Sequence, residues 1–227
     1  MHILTVLKNK RIATSALIAL ICALILAAIM TNGDEARADD LQIVREALAK
    51  AQSDTGAVAA TVNGAEIPLA RVEAFLIARN TPGIGKESGV SEMSASDFLS
   101  EQIDNELLFQ EAERRGLVPN DADVLLAAKQ AKEGLIAAME GDDATARALR
   151  DMFQQLEGSP YHVSVYDSSP VILDTLRRSI AVSNLRAELF ETLGPQSSDT
   201  AARDAAVDRL VADLRASSEV RIIARLP

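Results

Sequence analysis

The apolar positions of this chain follow three different patterns, and each predicts a different kind of element. From Ile12 to Met30 they are continuous: nineteen residues, IATSALIALICALILAAIM, carry no charge. As a helix this run spans about 28 Å, close to the thickness of bilayer hydrocarbon. Lys8, Lys10 and Arg11 precede it and Asp34 and Glu35 follow, a bias that keeps segment 1–11 cytoplasmic and exports the rest. The run exceeds the apolar part of a signal peptide, which favours an uncleaved single-pass anchor in the cytoplasmic membrane. Ala36-Arg37-Ala38 is also an A-x-A cleavage pattern, so a secreted or periplasmic chain cut after Ala38 stays open.

Elsewhere apolar residues recur at three- and four-residue spacing, the period of an amphipathic helix. Leu41, Val44 and Leu48 predict a short helix within a stalk covering 31–56. Pro68 lacks a backbone donor and suits a helix start, so a helix follows over Leu69 to Ala78 with Val72, Phe75 and Leu76 inward. Phe98, Leu99, Ile103, Leu107, Leu108 and Ala112 keep one stripe between an expected N-cap at Ser96 and a stop at Gly116. Asn120, with Asp123 three residues on, caps a further helix to about Met139 that carries Val124, Leu125, Ala128, Leu135 and Ile136. Three more are expected: 144–156, then Pro170 to Leu193 behind caps at Ser168 and Ser169, then Asp199 to Ala216 behind Ser198.

The third pattern is short, β-branched and alternating. Val58 to Val62 reads as a strand, Asn63-Gly64 as a two-residue type I′ turn whose central residues both need positive φ, and Ala65 to Ile67 as the returning strand. Glu219 to Ala224 is the other strand signal. Because an isolated hairpin is marginal in water, the C-terminal strand is expected to join it. The expected fold is therefore α+β and mostly helical. About five to six helices accompany a small three-stranded sheet, made of the N-terminal hairpin and the C-terminal strand, and one transmembrane helix precedes them.

Composition narrows the chemistry. The 227 residues are 48% hydrophobic and 25% charged, enough for one core, while aromatic residues make up only 3%. Stacking platforms for bases are therefore scarce, and a net charge of −10 repels a phosphate backbone, so no nucleic-acid partner is expected. One cysteine, Cys22, and two histidines, His2 and His162, make no zinc cluster, and neither metal nor cofactor is expected. The segment 81–94 is rich in Gly and Ser and reads as a mobile loop; its Gly83, Gly85 and Lys86 lack the spacing and preceding strand of a phosphate-binding loop.

The segments VAATVNGAEIPLARVEAFL and DFLSEQIDNELLFQEAERRGLVPNDADV, followed by a terminal helix leading into SSEVRIIA, together resemble the N-terminal domain of SurA/PrsA-type periplasmic chaperones. In that family a strand–Asn-Gly–strand hairpin leads into a helix, and a later helix carries a segment like Gln110-Glu111-Ala112 and Gly116. The resemblance covers most of 57–224 and implies a chaperone domain over 57–227. Family members often carry a parvulin prolyl-isomerase domain before the terminal helix. Here Gly194 to Ser197 occupies that place, too short for a domain of about 100 residues, so isomerase activity is not expected.

Reactive side chains offer little against this reading. Tyr161, His162, Tyr166 and Asp167 could in principle do acid–base work, but proline brackets their segment and no nucleophile or oxyanion motif accompanies them. Asp104, Glu106, Glu111 and Glu113, with Arg114 and Arg115, read as a solvated face of ordinary ion pairs. The function expected from the resemblance is a membrane-anchored extracytoplasmic holdase, not an enzyme. It would bind unfolded or nascent exported polypeptides, with the membrane contacted through 12–30. Met139, Met152, Phe153 and Tyr161 are candidates for polypeptide binding because Met adapts to varied partners, although each also suits a core. The alternative is a dedicated interaction or scaffold subunit of a membrane or envelope complex.

Overall fold

The computed structural model describes Glu46 and residues 56–80, 93–194 and 198–225. The expected anchor over 12–30, the stalk helix over 41–52 apart from Glu46, and most of the loop over 81–94 lie outside the described residues. Within them the chain is mostly helical, with six α-helices and one three-stranded antiparallel sheet. In chain order these are β1 (Val58–Val62), β2 (Ala65–Pro68), α1 (Leu69–Asn80), α2 (Ala95–Arg114), α3 (Asp121–Met139), α4 (Ala144–Gln155), a 3-10 turn (Val163–Val165), α5 (Pro170–Thr192), α6 (Thr200–Ser217) and β3 (Val220–Ile222).

The hairpin forms where the turn chemistry asks for it, with Asn63 at φ 50° and Gly64 at φ 87°. The sheet order is β2-β1-β3, so the C-terminal strand returns to pair with the first strand of the hairpin. Thr61 lies opposite Arg221 and Val62 opposite Val220. The two ends of the folded region are thereby tied together.

The expected stripe of α2 is buried in full, and it faces both ways into the fold. Phe98, Leu99, Ile103 and Leu107 join Val62 and Ile67 of the sheet, Val72 and Phe75 of α1, and Leu149 and Phe153 of α4 in one core. Phe75 and Phe98 stack there with ring centroids 4.1 Å apart. Leu108, Phe109 and Ala112 look the other way, onto Ala181, Val182 and Leu185 of α5. Each apolar face of α2 thus has its own partner, which makes it the central helix of the fold.

Helix ends refine the sequence reading. Ser94, not Ser96, is the N-cap of α2: its hydroxyl accepts from Asp97 N–H while the Asp97 carboxylate accepts from Ser94 N–H, a reciprocal capping box that puts the acid at the third helical position. At the other end Gly116, at φ 70°, lets its own N–H reach Glu113 O and Leu117 N–H reach Ala112 O, closing the last turn. Asn120 caps α3 as expected, accepting from Asp123 N–H at 3.0 Å. Ser169 stands at the N-cap of α5 but makes no side-chain cap bond, and its buried hydroxyl has no partner. Asp199, not Ser198, caps α6, since its carboxylate reaches Ala201 N–H at 2.9 Å.

Candidate functional site

The Gln110-Glu111-Ala112 segment proves to be structural wiring. Gln110 donates to Val62 O at 3.0 Å and accepts from the Asn63 side chain at 2.8 Å, so α2 grips the hairpin turn. Asn63 also accepts from Glu219 N–H and donates to Ser218 Oγ, which fixes the start of β3 to the same turn. The expected solvated acidic face is in part buried. Glu111 is only 6% exposed and takes Arg114 at 2.6 Å and Arg115 at 2.7 Å, and the Arg114 bond, with Arg115 beside it, pulls its pKa down to about 2. Glu106 pairs with Arg178, and Asp104 with Arg215. Spacing along one helix showed these acids together but not the arginines that α5 and α6 bring across.

Two members of the tyrosine, histidine and aspartate set, Asp167 and His162, are held by structural contacts. Asp167 is committed to Lys132 at 2.7 Å, a bond that holds its carboxyl below the ordinary range. His162 Nδ1 accepts from Ser164 N–H, capping the 3-10 turn, and the imidazole meets the Phe153 ring edge-on. Among the described residues no group of three or more His, Cys, Asp or Glu is placed to hold a metal ion.

Of the four residues expected to bind polypeptide, Phe153 is a core side chain, 3% exposed. Met139 and Tyr161 pack half-buried against that core. The Met152 side chain lies outside the description. Among the described residues the large apolar side chains left in solvent include Leu126 at 55%, Ile136 at 42%, and Leu125 and Val165, each more than a third exposed. Of the apolar positions expected along this helix, Leu125 and Ile136 are exposed, and α3 buries Val124 and Ala128. Leu125 and Ile136 stand eleven residues apart, about 20° in projection, so they share one side of the helix. The 3-10 turn carrying Val165 lies against α3, tied by Lys132 Nζ to Ser164 O at 2.9 Å. At the sheet edge Ile222 is 66% and Ile223 58% exposed. A helix that buries two small residues and displays Leu and Ile could have been suspected from the surplus of apolar positions along 124–136.

A second feature is a cleft of about 310 Å³ between α2, α5 and α6. Leu108, Val207 and Val211 line its apolar side, and Glu101, Arg186 and Asp208 its polar side. Asp104 and Arg215, also in the wall, satisfy each other at 2.5 Å, with Arg215 further bonded to Ser100. Glu101 Oε2 and Arg186 Nε are buried without a hydrogen-bond partner. Burial, then the neighbouring Asp104 and Asp97, raises the Glu101 pKa, and burial lowers that of Arg186.

Among the described residues no helix is long and apolar enough to cross a membrane. Comparison of the chain with protein-family models, with curated proteins and with solved structures finds no match.

Proposed function

We propose that the chain is a membrane-anchored extracytoplasmic chaperone, a holdase that binds unfolded or nascent exported polypeptides and has no isomerase activity. The observation that carries this reading is the apolar surface held open on a well-capped frame: Leu125, Leu126 and Ile136 on α3, Val165 on the adjoining turn, and Ile222 at the end of the edge strand with Ile223 after it. Isolated exposed leucines are ordinary on any surface, but several along one helix and its adjoining turn offer non-native chains a place to bury apolar side chains without strict geometry. The SurA-like order of hairpin, helices and closing strand supports the same reading. So does the short passage from Thr192 to Thr200, where related chaperones often carry a catalytic domain.

The test is light scattering from a heat-aggregating reporter protein, with the full chain held in nanodiscs. A several-fold excess of the chain is expected to suppress aggregation. Changing Leu126→Ser and Ile136→Ser together should remove at least half of that effect while leaving the melting temperature within a few degrees, as surface substitutions do. No suppression by the wild-type chain would overturn the proposal. Crosslinking in cells that captures one envelope protein rather than many would replace it with the scaffold reading.

A further inference from the structure

We infer that the cleft between α2, α5 and α6 receives a basic side chain of an extended polypeptide, its cation held by Glu101 and Asp208 and its backbone carbonyl by Arg186. This rests on the polypeptide-binding reading above and names the kind of segment bound.

Asp104 and Arg215 neutralise each other in the wall of the cleft. What remains in its lining is two carboxylates, Glu101 and Asp208, and one guanidinium, Arg186, which has the Asp204 carboxylate as its charged neighbour. Glu101 Oε2 is a buried acceptor and Arg186 Nε a buried donor, and neither has a partner. Each such atom is costly while it stays unpaired, because it has left water without gaining a partner. A simple anion would suit Arg186 but would be set against Glu101 and Asp208, in a chain whose net charge is already −10. A free ammonium would suit Glu101 but leave the Arg186 N–H without an acceptor.

A lysine or arginine residue within an extended chain supplies both groups, a cation and a carbonyl, joined by a methylene stem. Leu108, Val207 and Val211 give that stem an apolar wall, the way long basic side chains are commonly seated. A volume of about 310 Å³ lies at the small end of binding sites, which suits one side chain and its adjoining peptide unit rather than a folded surface.

The experiment is fluorescence anisotropy with the full chain in nanodiscs and a labelled octapeptide of Ala and Ser carrying one central Lys. The controls are the same peptide with norleucine or Glu at that position. The Lys peptide is expected to bind at least tenfold more tightly than the norleucine peptide. Glu101→Gln should abolish that preference, Asp208→Asn, at an exposed position, should reduce it several-fold, and Arg186→Met should weaken both peptides alike. Thermal melts of each variant establish that it is folded, and the exposed Asp208→Asn keeps the test decisive if a buried change unfolds the chain.

Equal binding of the Lys and norleucine peptides by the wild type overturns the inference. So does a preference that survives both Glu101→Gln and Asp208→Asn, or displacement of the peptide by spermidine as readily as by unlabelled Lys peptide. The aggregation assay reads the parent proposal separately. Suppression without Lys selectivity would sink only the cleft, and Lys selectivity without suppression would sink only the holdase.

Discussion

Glu111 shows how far a single side chain can depart from its place in the sequence. It sits among acids and arginines on a helix that reads as solvated, yet it is buried, because α2 has cores on both sides and Glu111 lies between them with Leu108 and Ala112. Burial alone would push a carboxyl up; the Arg114 bond, helped by Arg115, overrides it and brings the pKa from 4.5 to about 2. Arg115 continues to Glu188 on α5, so the carboxylate anchors a link between helices. The sign of the linkage follows from the lowered value. The folded state keeps Glu111 ionised where the unfolded chain has already taken up the proton, so its stabilisation is complete above about pH 4.5 and is lost as pH falls toward 2. Glu111→Gln is expected to destabilise the protein at neutral pH by about 1–3 kcal/mol, because the arginines lose a charged acceptor. The variant should also show a shallower loss of stability between pH 4.5 and 2 than the wild type. Denaturant melts across that range check both, and parallel pH profiles would mean the pair contributes nothing.

At the scale of elements, what the sequence conveyed and what it withheld separate cleanly by range. The hairpin, the Gly116 stop and the Asn120 cap each depend on residues within a turn of one another, and each was legible. The pairing of β3 was also legible, from the need of a lone hairpin for a third strand. What could not be read is which side of a short strand or a peripheral helix meets the core, since that depends on elements far along the chain. Val220, Ile222 and Ile223 look equally suited to burial, but only Val220 packs on the core while the two isoleucines stay in solvent. The cost of losing β3 therefore lies less in apolar burial than in its ties to β1. Asn63 N–H donates to Glu219 O, and Ile223 and Ala224 both donate to Ala59 O. Deleting 219–227 is expected to cost about 2–4 kcal/mol, from these bonds at about 0.5–1.5 each and the partial exposure of Val220. It should also abolish hydrogen-exchange protection at Asn63. Ile222→Ser with Ile223→Ser should change stability by less than about 0.5 kcal/mol. A truncated chain that melts with the wild type and still protects Asn63 would show that β3 is not structural.

Across the whole molecule, closure by β1 and β3 places the turn of the hairpin beside the end of α6. Long-range order then passes through a few polar hubs. Asn63 ties the turn to Gln110 of α2 and to the start of β3, Gln110 bonds Glu106, and Glu106 pairs with Arg178 of α5, whose guanidinium lies 4.2 Å from the Phe109 ring. These side chains are used up in holding helices together, and that bears on what the frame can catalyse. Lowering the barrier of about 20 kcal/mol to peptide-bond rotation calls for an enclosed site that binds the twisted amide better than the planar one. The cluster of Tyr161, His162, Tyr166 and Asp167 has its aspartate paired with Lys132 and its histidine capping a turn, and the cleft of Glu101 and Arg186 is the one proposed above to hold a basic side chain. The expected outcome is that the full chain leaves the slow, proline-limited refolding of a reporter protein at its uncatalysed pace of about 10–100 s at 25 °C, even at concentrations that suppress aggregation. Refolding kinetics followed by fluorescence, with a known prolyl isomerase as positive control, check this. A tenfold acceleration that grows with chain concentration would show that these helices hold a catalytic site, and the reading of the protein as a binding frame alone would have to be abandoned.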